Sequence, residues 1–278
     1  MENIIPVFKS AFSIMTPIFF AAAGGLFPAL AGTLNVALEG LLLVGAFSSL
    51  VVYYFTGNII AAVIAAAVAA TAFSALHAYA AFKLKANLFI SGIAVNLLSS
   101  GLCIVLSDKI FKTRGVIAST GVSGLLTWYL IFAFFLLFLI VVVIFKTPYG
   151  YRLRACEKNS EALVSLGIKP EFYQVTALLI SGFFCGIGGS FLSLNLGAFV
   201  PEMSAGKGWI ALAVIFLGMR KPLGVLAACF AFALAQSISN HAQGFLSISA
   251  DFILAFPYIC AFLALIIISI LSKKTTKI

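Results

Sequence analysis

The sequence predicts an all-α polytopic membrane protein of about nine transmembrane segments, one of them short or re-entrant. Three observations carry that reading. Only 9% of the 278 residues are charged and 63% are hydrophobic, whereas a soluble domain carries about 25% charged residues. The apolar runs are each roughly 20 residues long, which a helix needs to cross about 30 Å of hydrocarbon. They are also continuous, without the period-2 alternation of a membrane β-barrel.

Taken in order, the apolar segments fall at 10–30, 34–56, 58–82, 87–107, 125–145, 173–200, 208–219, 222–243 and 252–271. They form one transmembrane domain over 1–278, interrupted by a polar loop at 146–172. The seventh is too short to span straight, so it is expected to be re-entrant or broken, which is tolerated only where protein or water satisfies the backbone. Cys103, Cys156, Cys185, Cys229 and Cys260 show no paired spacing, which argues against a disulfide framework or a metal site. The opening MENIIPVFKS lacks the basic region and nearby cleavage site of a signal peptide, so the first helix is expected to stay.

The net charge of +9 gathers at the ends of apolar runs, which speaks for membrane topology rather than a nucleic-acid surface. With the polar loop in the cytoplasm, twelve of the 17 cations lie on that side: Lys83, Lys85, Lys146, Arg152, Arg154, Lys158, Lys169, Arg220, Lys221, Lys273, Lys274 and Lys277. The outside keeps Lys9, Lys109, Lys112, Arg114 and Lys207. The positive-inside bias therefore sets the orientation, with the N-terminus outside.

A faint internal echo links AAGGLFPAL (22–30) with GIGGSFLSL (186–194), which share GG-x-F on helices expected to run in opposite directions. Segments 1–4 and 6–9 could then be inverted repeats joined by segment 5. Paired glycines also occur simply to let membrane helices pack closely.

Several polar residues lie within the apolar runs. Glu39, with Gly32, Asn35 and Gly40 around it, either faces a permeation route, holds a helix break, or caps a helix start near the interface. Asn96, Ser99 and Ser100 share one helix face at i, i+3 and i+4. They can wet a solute pathway or join helices. Asn195 and Gln236 offer similar chemistry in the second half, with Ser239 and Asn240 repeating the spacing from Gln236. His77, His241 and Trp209 read as core or interface side chains. No GxxxxGK[ST], nucleophile elbow or HExxH occurs, so any ATP hydrolysis would reside on another polypeptide.

The polar loop reads YGYRLRACEKNSEALVSLGIKP over 149–170. Asn159 or Ser160 can N-cap a short helix with Glu161 in its first turn. Gly167 can end it as the C′ residue and Pro170 prevents continuation. Ala162, Leu163 and Leu166 would make one small apolar face, flanked by Arg152 and Arg154. Such a helix can float on anionic lipid or dock on a soluble partner.

This loop resembles the cytoplasmic loop of ABC importer permeases of the ribose- and nucleoside-type branch. Glu161 to Gly167 matches the spacing of the EAA-x-x-x-G coupling motif, with Leu163 where a second Ala is usual. AAAGGLFPALAGTLNVALEGLLLVGAF is similar to the GGLFSERSGVxNIGLEG signature of the nucleoside-type subgroup, with Pro28–Ala29–Leu30–Ala31 in place of its polar part. GKGWIALAVIFLGMRKPLG is similar to GxGxIALAxxxFGxWxPLG, and ISGIAVNLLSSGL to ISGxxxNLLxxGL, which places Asn96 at a family position.

The resemblance implies the transmembrane permease subunit of an ATP-binding-cassette importer in a bacterial cytoplasmic membrane. It implies no cofactor on this chain, with ATP and magnesium on a cytoplasmic ATPase. The other expected partners are a second paralogous permease (or a second copy) and a lipoprotein or periplasmic solute-binding protein. Arg152, Arg154, Asn159, Glu161, Ala162, Leu163, Leu166 and Gly167 would couple to the ATPase. The implied solute is a nucleoside, with riboflavin or a simple sugar as alternatives. A stand-alone ion-coupled transporter, motivated by Glu39 and the internal echo, is the alternative of another class.

Overall fold

The structure, a computed structural model, describes residues 4–122, 124–243 and 259. The ninth expected segment lies outside these but for Ile259. Among the described residues, seven helices are long and apolar enough to cross a membrane and one apolar helix is shorter. They are α1 (Ile4–Leu30), α2 (Leu38–Thr56), α3 (Ile59–Ala78, running into a π-turn at Tyr79–Lys83) and α4 (Leu88–Phe111). The two-residue β1 (Ile117–Ala118) precedes α5 (Leu125–Lys146), α6 (Pro148–Lys158), α7 (Ser160–Ser165) and α8 (Pro170–Leu196). The two-residue β2 (Ala198–Phe199), α9 (Lys207–Leu217) and α10 (Pro222–Ala242) complete the described chain.

α8 is the hub, packed against α1, α2 and α3. Its small residues let neighbouring backbones approach, as membrane helices require when apolar burial does not drive association. A side chain at Gly186 would collide with the α3 backbone at Ala66, and one at Gly45 of α2 would collide with the backbone of Gly186. Hydroxyls tie the same helix to its surroundings: Ser74 donates to the Leu178 carbonyl at 2.6 Å, Ser49 and Ser193 share a 2.8 Å bond, and Tyr129 of α5 meets Ser190 at 2.6 Å.

The echoed glycine pairs lie on helices that cross in opposite directions. Gly24 of α1 abuts Ser181 and Phe184 of α8, while Gly188 abuts Phe20 and Pro17. β1 pairs antiparallel with β2 beyond the far end of α8. Lys112 and Arg114 just precede β1, and so lie at the opposite end of the bundle from α6 and α7.

Several boundaries differ from expectation, two of them for a clear local reason. The second segment was expected from residue 34, yet α2 begins at Leu38 because Asn35 folds back: its Oδ1 accepts from the Ala37 N–H at 3.0 Å. The first half of the polar loop is itself a helix, α6. Thr147 caps it by accepting from the Gly150 N–H at 3.2 Å, and Pro148 occupies its first turn. Thr-Pro is a start signal that could have been read from the sequence.

Candidate functional site

α2 and α9 both start inside the bundle. At about 1.5 Å per residue, Ser181 lies roughly 16 Å along α8 from Pro170, near the middle of a bilayer. Asn35 Nδ2 donates to Ser181 Oγ at 2.9 Å, which fixes the segment before α2 at that depth. α9 has 11 residues and so rises roughly 16 Å to the same level from its end beside α6. The seventh segment, expected at 208–219, is therefore a half-length helix that starts at mid-depth, with an irregular stretch at 200–206 leading into it. The second segment is its mirror: α2 is led into by an irregular stretch at 31–37 from the end of the bundle that carries α6 and α7. That is the relation an inverted pair of segments would have.

Glu39 joins the two starts. One carboxylate oxygen accepts from the Gly206 N–H at 2.8 Å and the other from the Gly208 N–H at 2.6 Å. Gly206 is the N-cap of α9, with φ +80°. The side chain of one helix thus satisfies free N–H groups at the start of another. The N-termini of α2 and α9, each carrying partial positive charge, converge on this carboxylate. Gly208 must be glycine here, since a Cβ would lie 2.3 Å from the Glu39 nitrogen. The reading of Glu39 as holding a helix break and the reading of it as a cap describe one arrangement, at mid-depth rather than at the interface.

Asn96 of α4 repairs the other side of the break. In an uninterrupted helix the Gly40 N–H would donate to the Val36 carbonyl. Instead Asn96 Nδ2 donates to Val36 O at 2.9 Å and its Oδ1 accepts from Gly40 N at 2.8 Å. A side-chain amide fills the place of the missing peptide pairing. Ser99 is buried against Gly40 and donates to the Val95 carbonyl at 2.7 Å. Ser100 donates to the Glu202 carboxylate in the irregular stretch before α9.

The structure therefore brings Asn35, Glu39, Asn96, Ser99 and Ser100 together. Asn195 lies in the last turn of α8, at the end away from α6 and α7, and Gln236 lies on α10, which packs mainly on α1 and α9. Neither joins the cluster. Lys207, expected outside, opens α9 at mid-depth, where its ammonium donates to the Ser204 carbonyl at 3.2 Å. Glu202 and Trp209, both exposed, flank the cluster and were missed as a pair. The shortness of the seventh segment was the signal, because a half-length helix obliges the polar residues before it to descend into the membrane.

At the end of the bundle that carries the polar loop, α7 has the expected start and stop. Asn159 Oδ1 accepts from the Ala162 N–H at 3.3 Å. The Ile168 N–H donates to Leu163 O and the Gly167 N–H to Val164 O, both at 2.9 Å, a Schellman ending with Gly167 at φ +73°. The expected apolar face is corrected. Leu163 is buried, but Ala162 is exposed and Leu166 is 74% exposed. A six-residue helix pinned through Leu163 and half-buried Ile168 turns Leu166 outward with Val164.

α6 is held from two sides. Arg152 donates to the Tyr173 hydroxyl at 3.0 Å. Arg154 donates to the Gly150 carbonyl and lies over the rings of Phe145 and Tyr151. Glu157 pairs with Arg220, which sits in the turn between α9 and α10. Met219 and Arg220 both have left-handed backbones, with φ +53° and +55°.

The family model described as the permease component of branched-chain amino acid transport systems matches residues 8–271. The chain is 32% identical to the guanosine ABC transporter permease protein NupQ of Bacillus subtilis over 226 residues, covering 73% of this chain and 71% of that one. It is 29% identical to the nucleoside ABC transporter permease protein NupC of Lactococcus lactis, covering 69% and 68%. In fold it matches a chain of PsaBC from Streptococcus pneumoniae, solved in complex with Fab, with a TM-score of 0.59 and 10% identity over 93% of this chain and 90% of that one.

Proposed function

Since the chain belongs to the family of permease components of branched-chain amino acid transport systems, we propose that it is the transmembrane subunit of an ATP-driven importer of nucleosides. The nucleoside assignment is supported by the names of its relatives, NupQ and NupC. In this reading the chain is non-catalytic. A separate cytoplasmic ATPase binds ATP and magnesium, a second paralogous permease completes the pathway, and a solute-binding protein delivers the nucleoside outside a bacterial cytoplasmic membrane.

The observation that carries this reading is that α9 is held at both ends. Its cytoplasmic end is tied through Arg220 to Glu157 of α6, beside the exposed Val164 and Leu166 of α7. Its other end is tied to Glu39 at mid-depth. A push on α7 would travel along this short strut and tilt the start of α9 against α2, converting ATPase closure into a change at the bilayer centre. Two-state elements biased in this manner carry switching transitions. Asn96, Ser100, Glu202 and Trp209 lie around that joint and would offer amide, hydroxyl, carboxylate and aromatic groups to a base and a ribose.

Proteoliposomes loaded with ATP test the proposal. Guanosine uptake is expected only when this chain, a paralogous permease and the ATPase are all present. Uptake by this chain alone under a proton or sodium gradient would replace the reading with a stand-alone transporter.

A further inference from the structure

A cavity of about 490 Å³ opens at the cytoplasmic end of the bundle, between the end of α5, α6 and the turn that leads into α10. Neither α9 nor the mid-depth cluster contributes a lining residue. Its walls are of two kinds. Val141, Phe145 and Leu223 supply apolar surface, while Arg154, Lys158 and Lys221 supply positive charge at the level where α5 leaves the membrane. Glu157 and Arg220 also line it and neutralise one another.

We propose that this cavity binds an anionic phospholipid from the cytoplasmic leaflet, with the phosphate among Arg154, Lys158 and Lys221 and an acyl chain along α5. Two observations select a lipid rather than a soluble anion. The first is continuity with the lipid-facing surface. Phe134, Phe138, Val141 and Phe145 follow one another at helical spacing down one face of α5, and Phe134 and Phe138 are 58% and 68% exposed. This stripe leads directly into the apolar wall, so a molecule could enter sideways from the bilayer. A purely ionic ligand would gain nothing from that wall.

The second is the state of the cations. Among the described residues, the side chains of Lys158 and Lys221 have no hydrogen-bond or ion-pair partner, and both residues are exposed. Arg154 uses one of its five N–H groups, on the Gly150 carbonyl, and its guanidinium is braced by the Phe145 ring at 5.0 Å. The cavity therefore presents three positive groups that the described residues do not neutralise. Basic pockets between membrane helices on the cytoplasmic side favour anionic headgroups in this manner. A headgroup seated there would touch both sides of the Glu157–Arg220 contact and brace α6 against the α10 turn.

Native mass spectrometry of the detergent-purified chain, titrated with phosphatidylglycerol or phosphatidylcholine, tests the proposal. The wild type should retain phosphatidylglycerol preferentially. The variant Arg154→Gln, Lys158→Gln, Lys221→Gln should retain it about tenfold less, given the attraction each surface cation exerts on an acidic leaflet. A control with equal charge removed elsewhere on the same side, Lys83→Gln, Lys85→Gln, Lys169→Gln, should stay within twofold of wild type. Leu223→Trp fills the apolar wall without changing charge and should also weaken retention, so the test survives if the triple variant misfolds. Equal retention of both lipids, an equal loss in the control, no effect of Leu223→Trp, or displacement of the lipid by millimolar inorganic phosphate would each overturn the assignment.

Discussion

The Glu39 carboxylate accepts from the Gly208 N–H at 2.6 Å, across the point where two helices begin at mid-depth and run in opposite directions. This contact makes the bilayer centre the joint of the molecule. Removing the carboxylate leaves the partly buried Gly206 and the buried Gly208 N–H groups without these acceptors. Glu39→Ala is expected to destabilise the fold by about 2 kcal/mol and Glu39→Gln by less, since a cap is worth roughly 1 kcal/mol and buried orphan donors cost more. Gly208→Ala should be at least as damaging, because its Cβ would occupy backbone space at Glu39. Thermal unfolding in detergent measures all three.

Asn96 makes a sharper prediction because it uses both ends of its amide. Asp at this position can still accept from Gly40 but cannot donate to Val36. Asn96→Asp should therefore cost about 1–3 kcal/mol through the orphaned carbonyl while leaving the Gly40 amide protected from hydrogen exchange. Asn96→Ala should lose that protection as well. Exchange mass spectrometry on peptides spanning 36–44 separates the two outcomes.

The Glu157–Arg220 pair should matter more to transport than to stability. Both side chains are 34% exposed, and water screens such a pair to about 0.2–1 kcal/mol. Glu157→Arg is expected to shift the unfolding midpoint little yet reduce ATP-driven uptake several-fold. The charge-swapped double variant, Glu157→Arg with Arg220→Glu, should recover most of it. A double-mutant cycle on uptake rates checks this.

Cys156 offers a readout of α6 docking. It is 4% exposed, and its thiol donates to the Arg152 carbonyl at 3.2 Å. Burial raises its pKa above the usual thiol range, so the thiolate fraction at pH 7–8 is below that of a free cysteine. In a variant retaining only this cysteine, maleimide labelling should be slow at pH 7.5 and quicken as pH rises. Arg152→Ala, which frees α6 from Tyr173, should accelerate it at constant pH. Stopped-time alkylation followed by mass spectrometry measures the rates.

Much of this architecture was legible in the sequence, because bilayer thickness fixes segment length and the cost of free backbone groups permits little else. The brevity of the seventh segment and the Asn159–Gly167 caps are local signals, and the α7 helix followed from them. The long-range pairings were not legible. Glu39 and Gly208 are far apart in the chain, and nothing local to either names the other. The outward turn of Leu166 also depended on tertiary packing, since a six-residue helix can bury only the side chain that the bundle accepts, here Leu163. Depth misled the placement of Lys207, because counting cations by loop assumes that every loop lies outside the membrane.

The most direct test of the account is ATP-driven guanosine uptake by the assembled complex carrying Glu161→Lys and Gly167→Leu together. Gly167 holds a left-handed backbone that a leucine adopts only with strain, and the lysine reverses the charge at the start of α7. Uptake is expected to fall more than tenfold while the chain remains in the membrane and bound to its partner permease. Uptake at the wild-type rate, with the ATPase still assembled, would contradict the claim that α7 receives the stroke.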